Sequence, residues 1–147
     1  MWHSGTLAAA KQGALLGIRG IAFSTPIDTD DPDLRPLEPH VERVLEMVLP
    51  MDHLRLVNVN VPPRPTGIAW TRQAVEQYDG AVVPGTDPMG RRHFWFTVVP
   101  LEDHAQGADL WAMQQDLVSI TPLRLDLTDH GALAEATSRQ PMVVRTT

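Results

Sequence analysis

The sequence predicts an α/β fold on three observations. An Ala- and Leu-rich stretch, Leu7 to Leu16, runs through a brief turn into a short apolar segment, Gly20 to Ser24. A second helical pattern, Val41, Val44, Leu45 and Val48 at i, i+3, i+4, i+7 spacing, is followed by a strand pattern from Leu54 to Val61. Third, 147 residues suffice for one domain with a genuine core. Helix and strand alternating along one chain is the pattern of helices packed on a largely parallel sheet.

Each element has a local cause. Ser4-Gly5-Thr6 precedes a run without β-branched residues, and Gly17 stands where a left-handed residue closes a helix, so a capped helix is expected from about residue 4 to 17. Lys11 and Gln12 are its only long polar side chains, which predicts packing on more than one side. Gly20 to Ser24 reads as a buried strand, and a loop dense in Pro and Asp separates it from the second helix, which Pro50 ends. In the next strand Val57, Val59 and Val61 share one face and Asn58 and Asn60 the other, and Pro62-Pro63 stop it. From Gly67 to Val83 and from Arg91 to Val99 run two β-prone stretches flanking a turn-rich Pro84 to Gly90 segment, which together read as a hairpin over about 67–99. A helix near Ala108 to Gln115, a strand Leu117 to Ile120 and a last helix from about Gly131 form a C-terminal extension over about 108–147.

Composition removes several function classes. Without cysteine, thiolate metal sites, disulfides and cysteine nucleophiles are out, and any metal must take oxygen or imidazole ligands. A net charge of −6 with no basic run removes the electrostatic term that dominates nucleic-acid binding, so no nucleic acid polymer is expected as partner. No apolar stretch has a membrane helix's length and no signal-like segment opens the chain, which predicts a soluble, cytoplasmic protein.

Ser4-Gly5-Thr6 is the first candidate site. The leading N–H groups of a helix have no intrahelical acceptor and sit at the positive end of the macrodipole, so a phosphate is accommodated there, with Gly5 admitting close approach and the Ser4 and Thr6 hydroxyls adding donors. The plain alternative is an N-cap. Asn58 and Asn60 are unusual in a strand: either they line a cleft at the carboxyl end of the sheet or they face solvent. Asp109 is read first as a helix cap and second as a support for the site. His3, beside the anion loop, is a candidate for acting on a leaving oxygen, with packing as its alternative. The Asp28, Asp30, Asp31, Asp33 cluster lacks the glycine and distal Glu of a calcium loop, and the histidines lack i, i+4 pairing, so neither is assigned a metal. Trp70, Tyr78, Phe94 and Trp95 either stack a nucleobase or cover one another or a second subunit.

Taken in order, Trp2-His3-Ser4-Gly5-Thr6 with Lys11 to Gly17, Gly20 to Ser24, Val57 to Pro62, Asp87-Pro88-Met89-Gly90-Arg91 before Trp95, and Asp109 ahead of Val118 to Leu123 and Asp126-Leu127-Thr128 resemble the SurE survival proteins over nearly the whole chain. That family consists of metal-dependent 5′/3′-nucleotidases that hydrolyse nucleoside monophosphates. The resemblance implies a SurE-like three-layer sandwich over 1–147, matching the second half of a family member, with first strands missing and a protruding hairpin. It implies phosphate binding at Ser4, Gly5 and Thr6, with His3, Asn58, Asn60 and Asp109 near the cleft. A divalent metal, Mg or Mn, is implied too. Its family ligands, two consecutive aspartates, a serine and an asparagine, would lie upstream of Met1, so the chain as given is expected to lack them. The implied partners are a nucleoside monophosphate and further copies in a homodimer or homotetramer; the rival expectation is a noncatalytic oligomerisation module.

Overall fold

The structure is a computed structural model that describes residues 4–75, 79–99 and 103–139. In chain order the elements are α1 (Gly5–Leu15), β1 (Gly20–Ser24), α2 (Glu38–Val48), β2 (Leu56–Asn60), β3 (Gly67–Trp70), β4 (Asp79–Thr86), β5 (Arg92–Val99), α3 (Asp109–Gln114), β6 (Leu117–Leu123) and α4 (His130–Arg139). Four strands form one sheet in the order β1-β2-β6-β3, and β4 and β5 form a separate two-stranded ribbon.

The sheet is mixed. β1 and β2 are parallel with Ala22 opposite Asn58, β6 runs antiparallel to β2 with Thr121 opposite Asn58, and β3 is parallel to β6 with Ile68 opposite Val118. Register divides the side chains between two faces. One face carries Val57, Val59, Val118 and Ile120, and α2 lays Val44 and Val48 on them, all six fully buried. Each such valine removed from water contributes roughly 1.5–3 kcal/mol. Arg19 ties the foot of β1 to the end of α2, donating to the Leu49 carbonyl at 2.7 Å and to Asp52 at 3.1 Å.

The other face carries Gly20, Ala22 and Ser24 of β1, Leu56, Asn58 and Asn60 of β2, and Ser119 and Thr121 of β6. α1 and α3 cover it, giving helix, sheet and helix in three layers. Gly20 makes the α1 contact possible: a Cβ there would lie 2.0 Å from the Ala10 carbonyl oxygen, so helix and strand backbones touch. α1 ends as its sequence predicts. Gly17 takes φ +84°, its N–H donates to Ala14 and the Ile18 N–H to Gly13, which is a Schellman closure.

Three expectations are corrected. The hairpin does not begin at Gly67: β3 belongs to the main sheet, and the ribbon is formed by β4 and β5 alone. A β-prone composition shows that a segment is extended and leaves its partner open; here Leu117 to Ile120, far along the chain, supplies it. The segment from 108 is not an extension either, because β6 lies inside the sheet between β2 and β3. Finally, α1 is not enclosed on more than one side: among the described residues only Ala14 is buried, and Leu15 and Leu16 are exposed. The strand expected over 117–120 continues to Leu123.

Candidate active site

A cleft of about 510 Å³ opens where the carboxyl ends of β1 and β2 meet the N-termini of α1 and α3. Ligands of α/β sheets sit at this end of the strands. Its walls include Ser4, Ser24, Asn58, Asn60 and Asp109, with Met113 supplying apolar surface.

Ser4 is the N-cap of α1, and its hydroxyl accepts the Leu7 N–H at 3.2 Å. The Ala8 N–H goes to the Ser4 carbonyl, so within the first turn the Gly5 and Thr6 N–H groups are left without an intrahelical acceptor. The Ser4 hydroxyl proton is not consumed by the cap, since the oxygen acts there as acceptor. Gly5 and Thr6 are exposed and do not line the cleft, and a Cβ on Gly5 would meet nothing within 4 Å. His3 and Tyr78 lie outside the described residues.

Asn58 is 5% exposed, which removes the reading of a solvated outer face: α1 and α3 enclose that side of the sheet. Asn58 lines the cleft, and its side-chain amide brings both a donor and an acceptor to that wall. Asn60 Nδ2 donates to Ser119 Oγ at 3.2 Å, and the Thr71 and Thr121 hydroxyls meet at 2.7 Å, so the polar side chains of this face are joined across strands.

Asp109 does not occupy the N-cap position; Ala108 does, without a side-chain bond. Asp109 is the first helical residue, 3% exposed, and its Oδ1 accepts N–H groups from Leu110 and Ala74, each at 2.9 Å. It serves its own helix and also pins the strand-exit segment 71–75 to α3. A backbone bridge strengthens the junction, with Asp109 N–H donating to Arg72 O and Arg72 N–H to Gly107 O, both at 2.9 Å.

The described residues do not fit a divalent-metal site. Asp109 is the only carboxylate in the cleft wall, and the Oδ1 that faces its helix is already shared by two N–H donors. Among the described residues no group of three or more His, Asp or Glu is placed to hold an ion. The 28–33 aspartates sit in an exposed loop, where Asp33 pairs with Arg35 at 2.8 Å.

Sequence patterning brought Ser4, Asn58, Asn60 and Asp109 to notice, and the structure gathers all four. It missed Ser24, Thr25 and Ala74. Ser24 was within reach, since it is the last residue of a strand parallel to β2 and therefore at the ligand end of the sheet. The aromatic candidates lie elsewhere: Trp70 is on the helix α2 face of edge strand β3, and Phe94 and Trp95 are on the ribbon.

The fold and cleft define an α/β protein with a helix N-terminus and a polar cleft at the carboxyl edge of its sheet. The family model described as Survival protein SurE matches residues 1–80. A protein named 5'-nucleotidase SurE 1 from Thermus thermophilus is 39% identical over 136 residues, covering 89% of this chain and 53% of its own length. A 5'-nucleotidase SurE from Erythrobacter litoralis is 38% identical over 144 residues, with 90% and 56% covered. Among solved structures, a SurE protein from Aquifex aeolicus superimposes with a TM-score of 0.75 at 30% identity, covering 93% of this chain and 58% of that one. The chain belongs to the SurE family, and it spans about half the length of the relatives it matches. No helix among the described residues is long and apolar enough to cross a membrane.

Proposed function

We propose that this chain contributes the phosphate-holding wall of a 5′/3′-nucleotidase that hydrolyses nucleoside monophosphates to nucleoside and phosphate. The observation that carries the reading is the cleft itself, in which the α1 N-terminus and Ser4 stand beside the buried amide of Asn58 at the carboxyl end of the sheet. The names of the relatives supply the reaction. In such a reaction a dianionic phosphoryl group gathers charge on its oxygens, and fixed N–H and O–H donors are worth most when aimed where that charge develops. Gly5 and Thr6 offer backbone N–H groups and Ser4 a hydroxyl, and the Asn58 amide supplies a further donor from the cleft wall. Asn60 and Asp109 are positioning residues, the first through Ser119 and the second through the Ala74 backbone. A divalent cation, Mg or Mn, belongs to the family chemistry; its ligands come from outside the described residues.

The test is calorimetric titration of the chain with a nucleoside monophosphate and with the matching nucleoside, beside an assay of phosphate release with and without magnesium. Phosphate-dependent binding that Ser4→Ala and Asn58→Ala each weaken is expected. Equal affinity for nucleotide and nucleoside would remove the phosphate site. A second reading, a noncatalytic assembly module forming homodimers or homotetramers, is favoured by one observation: the ribbon exposes Phe94 and Trp95, more aromatic surface than a solvated arm needs. Magnesium-dependent phosphate release from this chain would decide against it.

A further inference from the structure

A second void lies on the same sheet face, below Ser4, between α1 and the segment that follows β6. It is a half-open hollow of about 290 Å³, near the lower end of small-molecule sites. Leu7, Leu56, Leu123 and Leu127 make its walls apolar, and Lys11 and Arg124 are the charged residues that line it. Neither cation has a hydrogen bond or an ion pair among the described residues. The nearby carboxylate, Asp126, accepts from the Thr128 N–H and from His130, each at 2.8 Å; Arg124 acts on it only at longer range, as a minor contribution to holding its carboxyl below the ordinary range.

An apolar hollow lined by two cations of one sign is matched to one kind of guest. We propose that this hollow binds a small organic anion with an apolar or aromatic body, its charged group between Lys11 and Arg124 and its body against the four leucines. A neutral apolar guest would leave both cations uncompensated, and an inorganic anion would leave the leucine walls wet. The site is distinct from the phosphate cleft, because Leu56, Leu123 and Leu127 contribute nothing to that cleft. The two share Ser4, whose capping partner Leu7 also lines the hollow.

The probe is anilinonaphthalene sulfonate, titrated by fluorescence into the full chain, with uncharged N-phenylnaphthylamine as control. The double variant Lys11→Gln, Arg124→Gln is expected to weaken the sulfonate by about tenfold or more, the scale of a lost charge-assisted contact, and to leave the neutral probe unchanged. Leu127→Asp, an exposed position whose replacement spares the core, is expected to weaken both probes. Lys11 is the only lysine, so after reductive methylation with an isotope label its dimethylammonium resonance should move on addition of the sulfonate. Unchanged sulfonate affinity in the double variant, or a motionless Lys11 resonance, would overturn the proposal, as would full competitive displacement of the probe by a nucleoside monophosphate. Failure of the chain to bind nucleotide would leave these readouts intact and would bear on the phosphate cleft alone.

Discussion

Replacing Gly20 with alanine tests whether the packing of α1 on the sheet also sets the proposed phosphate site. The added methyl would lie 2.0 Å from the Ala10 carbonyl oxygen and 2.7 Å from its carbon, whereas Cβ contacts under 3.0 Å essentially do not occur. The obstacle is helix backbone, which has no rotamer to change, so α1 must lift from β1 by about 1 Å or the strand must bow. Overpacking of this kind costs roughly 1–3 kcal/mol. For a domain of this size that lowers the melting temperature by on the order of 3–12 °C. The shift is transmitted along a rigid helix to Ser4 at its N-terminus, and a misplacement of ~1 Å in a positioned group costs about 10²-fold in rate where the group acts in catalysis. Scanning calorimetry reads the first effect and nucleotide titration the second. A Gly20→Ala chain with the parent melting temperature would refute the close approach; a lowered melting temperature with unchanged nucleotide affinity would refute the coupling of that approach to the site.

Three further perturbations separate support from chemistry. Asp109→Ala leaves the Ala74 and Leu110 N–H groups without their buried acceptor, a loss of about 1–3 kcal/mol, while Asp109→Asn keeps an acceptor oxygen and should recover most of it in a denaturant titration. In the ribbon turn, N–H groups of Arg91 and Met89 and the Arg91 guanidinium hold the Asp87 carboxyl below its ordinary value. The sign follows: a depressed folded pKa stabilises the turn above the unfolded value of about 3.9 and loses that support as pH falls through the folded value. The protection factors of the ribbon amides, which are exchange rates corrected for the intrinsic pH dependence of amide exchange, should therefore fall in acid, and Asp87→Asn should remove that part of the pH dependence. Trp95→Asp, on the exposed ribbon, should leave the unfolding free energy within about 0.5 kcal/mol of parent and shift any self-association toward monomer in sedimentation; a large loss of stability would place Trp95 in an intrachain core.

How much of this fold was legible follows from what each signal encodes. Periodicity and capping are local, and they located α1, α2, β1 and β2 to within a residue or two, including the left-handed Gly17. Strand partnership is not local. Gly67 to Trp70 and the ribbon strands share the same β-prone residues, yet the first pairs in parallel with Leu117 to Ile120 and the others pair with each other across a turn fixed by Asp87. Nothing in the composition of 67–70 encodes the later segment. The long-range pairing is decided by burial, Ile68 against the Val118 side of the core, which no window of sequence contains.

The candidate site was more legible than the sheet order because its residues break a local rule. An asparagine in a strand otherwise made of valines is out of place unless something at that face needs an amide, and Asn58 proves to be buried with its amide at the cleft wall. Ser4 breaks no rule as an N-cap, and its second role as cleft wall depends on where Gly20 lets the helix sit. Thr6 stands differently from Ser4. A hydroxyl two residues into a helix looks equivalent to one at its cap, but a step of about 100° per residue carries it round the helix, and at this position it faces solvent. In the proposed phosphate site the donors are therefore backbone N–H groups and Ser4, with the Thr6 side chain outside the set; Thr6→Ala should leave nucleotide affinity unchanged where Ser4→Ala lowers it. A calorimetric titration in which Thr6→Ala weakens binding as much as Ser4→Ala would show that the ligand approaches from the exposed side of the helix instead of through the cleft.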